Sequence, residues 1–456
     1  MRVPSISGSA SLSSEFTSAR PSIPTLPVSS WLSGHVRDLS RDKLGLFQRC
    51  AEVGGHVRLR LYSVGFHIVT DPELVTQILT VEADAFRKSR ALQFSRPTFG
   101  NGLVTSEGEA WRQQRRLVSP TMTPKAAASY RGLMESTIAK RLDALQDGDT
   151  PELYEEMIEV SLEVACQALF GVGSAMLRPS IRRAATAVQR WHRAVEIRCL
   201  PYPHYLPTLA NLRSRSANWA LDRAVFALIR EERKQGRNDR GLLSAMLQAR
   251  DARGRALMTD RQIRDQVVTL FLAGHDTTAT SMAFALYELS YRPDLQSMIR
   301  SELAASGASE TLDRSLKETL RLYPAVHMIA RMAVRDVMLG RHLVRKGDEL
   351  LVPLWVFHRD PKVFPDPEAF CPERWGVSGG LNSRARAYLP FSTGPRVCTG
   401  QSLAQEELKV VVAAVLRKFQ LEAVEPRKIE VQPQLTIVPK PGTTIVRIRA
   451  LRGDDS

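Results

Sequence analysis

From residue 40 onward the chain commits itself to helices. Apolar side chains recur at three- and four-residue spacing over 72–80, 128–146, 152–170, 217–233, 261–290, 293–305 and 401–419, the period of a helix with one buried face. Strand-like runs are short: 56–61, 66–70, 349–354 and 444–450. No internal repeat and no linker divides the sequence. The expectation is a mainly α fold with small β-sheets, a single large helical domain over 31–456, preceded by a disordered Ser/Pro-rich tail at 1–30 that faintly resembles a transit peptide. With 43% hydrophobic and 24% charged residues, the chain is too apolar to be disordered. The apolar runs 267–274 and 410–416 fall well short of the roughly 20 residues that span a bilayer. They read as buried helix, and no transmembrane anchor is expected.

The formal charge is +15, with 63 basic and 48 acidic residues. Nucleic acid would need a concentrated basic stripe and a reading module. Here arginines are dispersed and accompanied by acids, so no nucleic-acid partner is expected, while an acidic protein partner fits. The five cysteines, Cys50, Cys166, Cys199, Cys371 and Cys398, are too scattered for a disulfide framework and include no CxxC pair. A reduced, cytoplasmic protein is expected.

One cysteine has a constructed neighbourhood. Cys398 lies in Phe391-Ser-Thr-Gly394-Pro-Arg396-Val-Cys398-Thr-Gly400, directly before the helical QSLAQEELKVVVAAVLRKF. Glycines permit close approach and unusual dihedrals. A cysteine at a helix N-terminus has its thiolate favoured by the dipole and free amides. Such a thiolate suits iron, and Phe391 is placed to shield it from water.

This loop resembles the haem-binding loop of the cytochrome P450 superfamily, and the resemblance spans roughly residues 30–450. It implies haem b, with Cys398 as axial thiolate and sole metal ligand, Phe391, Gly394 and Gly400 shaping the loop, and Arg396 meeting a haem propionate. Trp111 and Arg115, one helical turn apart, and Arg331 are implied as further propionate partners. Glu318 and Arg321 of KETLRLYP, with Arg374 of PERW, are implied as a buried ion triad supporting the loop. Asp276 and Thr277 of AGHDTT resemble the acid–alcohol pair of the family's central helix, Thr277 serving dioxygen and Asp276 proton relay. About 100° apart on the helix, the two cannot face one ligand squarely.

The implied activity is monooxygenation: one oxygen atom from O2 enters a hydrophobic small molecule, of terpenoid, polyketide, peptide or fatty acyl type, in secondary metabolism. Oxidative coupling, cyclisation or desaturation is the alternative chemistry, and a non-catalytic haem sensor or carrier the alternative class. No stretch resembles a flavin- or nicotinamide-binding extension, so electrons from NAD(P)H are expected through a separate ferredoxin or flavodoxin. It would dock on a basic face around Arg112, Arg116, Lys409, Arg417 and Lys418. The pocket is expected from 86–106, 170–210, 265–280, 325–330 and 433–438. These contain Phe94, Phe99, Leu103, Val104, Leu272, Ala273, Val326, Met328, Ile329, Leu435 and Thr436. A monomer is expected.

Overall fold

The computed structural model describes residues 22–62, 64–170, 208–235, 241–376, 386–424 and 429–451, with a few positions between 179 and 186. Most of the tail at 1–30, most of the 170–210 stretch and Cys199 therefore lie outside the described residues.

The central helix, Asp260–Ser290, organises the molecule. Thr259 caps it: its hydroxyl accepts from Gln262 N–H while Gln262 reaches back to the Thr259 N–H, satisfying two otherwise orphaned donors. Nearly all of its second half is buried, with Met282 and Leu286 at 0% exposure. These pack with Met134 and Ile138 of helix Arg131–Leu142 and Val411 and Leu416 of helix Gln401–Lys418 into the main core. A second cluster joins Phe271 and Val267 to Leu221, Val225 and Val118. Helix Leu153–Phe170 packs alongside the central helix, whose second half is buried all round.

Among the described residues, eleven short strands complete the fold: β1 (His56–Leu61), β2 (Val64–Val69), β3 (Phe86–Lys88), β4 (Ile329–Ala333), β5 (Val337–Leu339), β6 (His342–Val344), β7 (Glu349–Val352), β8 (Phe419–Ala423), β9 (Val431–Pro433), β10 (Ile437–Pro439) and β11 (Val446–Ala450). One five-stranded sheet runs β1-β2-β7-β4-β3, and three two-stranded ribbons pair β5 with β6, β9 with β10 and β8 with β11. In the sheet, Lys88 stands directly opposite Arg331.

Three element boundaries differ from the sequence pattern. The 72–80 stretch is an α-helix over Pro72–Thr76 that widens into a π-turn at Gln77–Val81. The 128–146 stretch breaks at Tyr130, between Pro124–Ser129 and Arg131–Leu142. The last long helix stops at Lys418, because Phe419 begins the pairing of β8 with β11. No described helix is long and apolar enough to cross a membrane.

Candidate active site

The cysteine loop is closed by its own backbone. Cys398 N–H donates to Phe391 O at 2.9 Å, Val397 N–H to Gly394 O at 3.1 Å, and Ser392 N–H to Leu389 O at 2.9 Å. Gly394 has φ +72°, and a Cβ there would meet Leu79 O of the π-turn at 2.1 Å, so only glycine lets the loop pass. Gly400 caps the following helix without a side-chain bond. The sulfur of Cys398 fills that acceptor role, facing the backbone N–H groups of Gly400 and Gln401, where a Ser or Asp side chain usually caps. Burial pushes the Cys398 thiol up, while these amides and the Arg115 guanidinium pull it down. The Cys398 side chain is exposed.

Arg115 of helix Gly108–Val118 holds the loop directly. It donates to Val397 O at 2.7 Å and Thr399 Oγ1 at 2.5 Å. Trp111, half-buried on the same helix, lies under the Arg396 guanidinium, 5.8 Å from ring centre. Arg396 forms a two-point pair with Glu107 at 3.1 and 2.6 Å. Glu107 also accepts from the Lys88 backbone N–H at 2.7 Å, while the buried Lys88 ammonium donates to Leu103 O at 2.8 Å and Ser106 O at 2.6 Å.

This corner is short of negative charge. Lys88 feels Glu107, Arg396, Arg331 and Arg96 together, and burial is the main reason its amine falls to about 7. Burial, then Arg396, lowers Arg331 to about 10. Among the described residues, no carboxylate oxygen comes within the 4.0 Å ion-pair distance of Arg331. Like charges directly opposed across a sheet repel, and one carboxylate does not balance four cations. The donor set fits an added dianion, as the two haem propionates would supply. Among the described residues, no group of three or more His, Cys, Asp or Glu could hold a metal by itself. A lone thiolate therefore fits an iron whose other ligands come with its macrocycle.

Behind the loop lies the ion network. Glu318 and Arg321 share a face of helix Glu310–Leu322, and both side chains are 0% exposed. Arg321 donates to both Glu318 oxygens, at 3.0 and 2.8 Å, and to the carbonyls of His358, Pro367 and Ala369. Arg374 Nε reaches Glu318 at 2.9 Å, as does Trp375 Nε1. His358 carries the support onward, its Nε2 accepting from Leu389 N–H at 2.9 Å.

In the middle of the otherwise buried central helix, Ala273 and Gly274 are exposed. Thr277 Oγ1 donates to Ala273 O at 2.9 Å, Thr278 Oγ1 to Gly274 O at 2.8 Å, and Ser281 Oγ to Thr277 O at 2.9 Å. These side chains compete for carbonyls that the helix itself uses. Asp276 points elsewhere, accepting from Tyr154 OH at 2.8 Å and Thr436 Oγ1 at 2.6 Å. His275, which the sequence gives no role, is buried against Phe271.

The expected pocket residues divide. Ala273 and Val326 are exposed, and Phe94, Val104 and Leu435 are half-buried. Phe99 is buried, and Leu103 and Leu272 join the second core cluster. Ile329 packs in the core under the sheet, Met328 in the cluster around Phe47, and Thr436 is spent on Asp276. The basic face is less free than its sequence implies: Arg112 and Arg116 share Glu109, Lys409 pairs with Asp313, and Lys418 with Asp143.

Sequence reasoning missed Lys88, Glu107, His358, Trp375 and Tyr154. Lys88 had a signal, a charge at an inward position of a buried-exposed-buried strand. The others are recognisable only by their partners.

Comparison with known proteins completes the description. A family described as Cytochrome P450 matches residues 24–446. Cyclooctat-9-en-7-ol 5-monooxygenase of Streptomyces melanosporofaciens is 31% identical over 417 residues, covering 88% of this chain and 90% of the relative. Cyclooctatin synthase of the same organism is 28% identical over 439 residues, covering 90% and 92%. The crystal structure of the cytochrome P450DA heme domain superposes with a TM-score of 0.83 at 24% identity, over 95% of this chain and 98% of that one.

Proposed function

This chain belongs to the cytochrome P450 family, and from that premise we propose that it inserts one oxygen atom from dioxygen into a hydrophobic small molecule, with Cys398 as the residue that would hold its haem iron. The observation that carries this reading is the Cys398 sulfur, held at a helix N-terminus by two amides and a stapled loop. When bound, the haem supplies the iron at which dioxygen is activated. The protein's part is to hold the ligand, deliver protons and exclude water. Arg115 fixes the loop that carries the sulfur. Lys88, Arg331 and Arg396 would meet the propionates of the bound haem. Thr277 Oγ1, now donating to the Ala273 carbonyl, can accept and pass a proton beside the exposed Ala273–Gly274 stretch. Asp276, one residue before it, is the acid that resupplies protons.

A cyclic, alkene-bearing alcohol is favoured as substrate type, since the first Streptomyces relative is named for one; the biosynthetic role follows from that. An acidic ferredoxin or flavodoxin is the proposed donor. The ion pairs that Arg112 and Arg116 make on the expected docking face are exposed, each worth at most about 1 kcal/mol, so they can be exchanged for a partner's carboxylates.

The test is the spectrum of the haem-supplemented protein, reduced and treated with carbon monoxide. A strongly red-shifted band is expected, and Cys398→Ser should abolish it. A band typical of imidazole ligation, or protein that stays colourless, overturns the reading. Screening terpenoid alcohols for the low- to high-spin shift addresses the substrate.

A further inference from the structure

Asp276 has both carboxylate oxygens engaged by hydroxyls from distant parts of the chain. Tyr154 donates to Oδ1 at 2.8 Å and Thr436 to Oδ2 at 2.6 Å. Among the described residues, no lysine or arginine nitrogen comes within the 4.0 Å ion-pair distance of either oxygen. The carboxylate is thus met by two neutral donors, which hold it by direction rather than by charge.

The two donors are mounted differently. Tyr154 belongs to helix Leu153–Phe170, packed along the central helix. Burial, then the charge of Asp276, keeps its phenol well above the ordinary range, so it stays a donor. Thr436 sits in the turn between β9 and β10, strands of three residues each. That ribbon hangs on the segment beside exposed Val326 through Ile437 N–H to Ala325 O at 2.8 Å. Anything that displaces the turn withdraws one of the two donors from Asp276.

We propose that Tyr154 and Thr436 are the positioning residues of Asp276, one fixed and one carried on the β9–β10 turn, and that together they restrain the acid until the turn moves. This rests on Asp276 being the proton relay. The relay step balances: the Asp276 carboxylate takes a proton delivered through water from solvent, passes it to the waiting acceptor and returns to the carboxylate, so neither donor is consumed. Freed of Thr436, the carboxyl rotates more readily and proton delivery speeds up.

The experiment uses holoprotein with no substrate added, reduced by NADPH through a surrogate ferredoxin and ferredoxin reductase. Two electrons and two protons then convert dioxygen to hydrogen peroxide, and its release is measured in H2O and D2O. Alongside it, the infrared spectrum of protein carrying 13C-labelled aspartate is recorded, with Asp276→Asn identifying the Asp276 carboxylate band. Asp276→Asn should slow peroxide release. Thr436→Val should raise it, by roughly ten-fold or more, the equivalent of one charge-assisted hydrogen bond. It should also shift the carboxylate band and shrink the isotope effect, and Thr436→Ser should restore all three. Tyr154→Phe should shift the same band. Each variant is used only if it keeps the carbon monoxide band, and Thr436→Ala replaces a valine variant that does not. If Asp276→Asn leaves rate and isotope effect unchanged, the relay reading fails and the restraint with it. If Asp276→Asn slows release but Thr436→Val leaves band and rate at wild-type values, the restraint alone is overturned. A faster Thr436→Val that serine does not rescue also overturns it.

Discussion

Glu318 and Asp276 are both acids on helices that meet at the site, and they are held in opposite ways. Glu318 is wholly buried and accepts five hydrogen bonds: two from Arg321 and one each from Arg374, Trp375 and the Cys371 amide. Asp276 is half-buried and accepts two, both from neutral hydroxyls. A buried charge demands full compensation, and once compensated it cannot move without great cost. A partly exposed acid with two neutral donors can exchange them. The cysteine side of the molecule is therefore over-determined, as a loop that must present one sulfur requires. The side bearing Asp276 and Thr277 keeps its polar groups exchangeable, as the proposed proton relay requires.

The sharpest way to break this comparison is to neutralise each acid. Glu318→Gln strands two guanidiniums in the interior, a loss of about 3–5 kcal/mol. Little or no haem-loaded protein should be recovered, judged by the Soret band of purified material. Asp276→Asn should yield normal amounts of holoprotein with a near-normal denaturation midpoint. Equal damage from both would erase the distinction.

Acid should act mainly through buried histidines. Burial holds His56, His327 and His358 at about 3, below their ordinary 6.5. Each takes up a proton near 6.5 once unfolded, so the stability it carries is complete above that pH and drains away as pH falls toward 3. Burial pushes Glu349 up to about 7 and Glu407 to about 8, from 4.5. Their stability is complete below 4.5 and is lost as pH rises through 7 and 8. Between 6.5 and 4.5 the two carboxyls offset two of the three histidines. Below that the histidines act unopposed, at about 4 kcal/mol per pH unit. Urea midpoints measured against pH should fall gently to about 4.5 and steeply beneath it.

The smallest structural effect is expected at Thr277. Thr277→Ala removes a hydroxyl that bonds only to helix carbonyls, and alanine favours helix, so stability should change by less than about 0.5 kcal/mol. Haem content and ligand-induced spin shifts should persist, while peroxide formed per NADPH consumed should rise. Fully coupled turnover in this variant would remove Thr277 from the proton path.

Much of the fold was legible because its signals are local. Apolar periodicity marked the central helix to within one residue of its start, at Asp260. Gly394 marked the loop, since its close approach to Leu79 leaves a local imprint. The i, i+3 spacing placed Glu318 and Arg321 on one face. The assignment of charges was less legible. Arg396 is expected to serve a propionate, and its guanidinium also engages Glu107, 289 residues away in sequence. Arg115, given the same expectation, also grips the cysteine loop. Four cations of the expected docking face already have carboxylate partners.

What the sequence determined by itself is the helical frame, the loop that presents Cys398 and the order of the motifs around it, because period, turn chemistry and capping act within about one or two helical turns. Only the tertiary structure decided which hydroxyls hold Asp276, that Lys88 faces Arg331 across two strands, and that His358 links the Glu318 network to the loop. Hydrogen bonds and ion pairs reach only about 3–4 Å. Which groups come that close is settled when elements hundreds of residues apart are packed together.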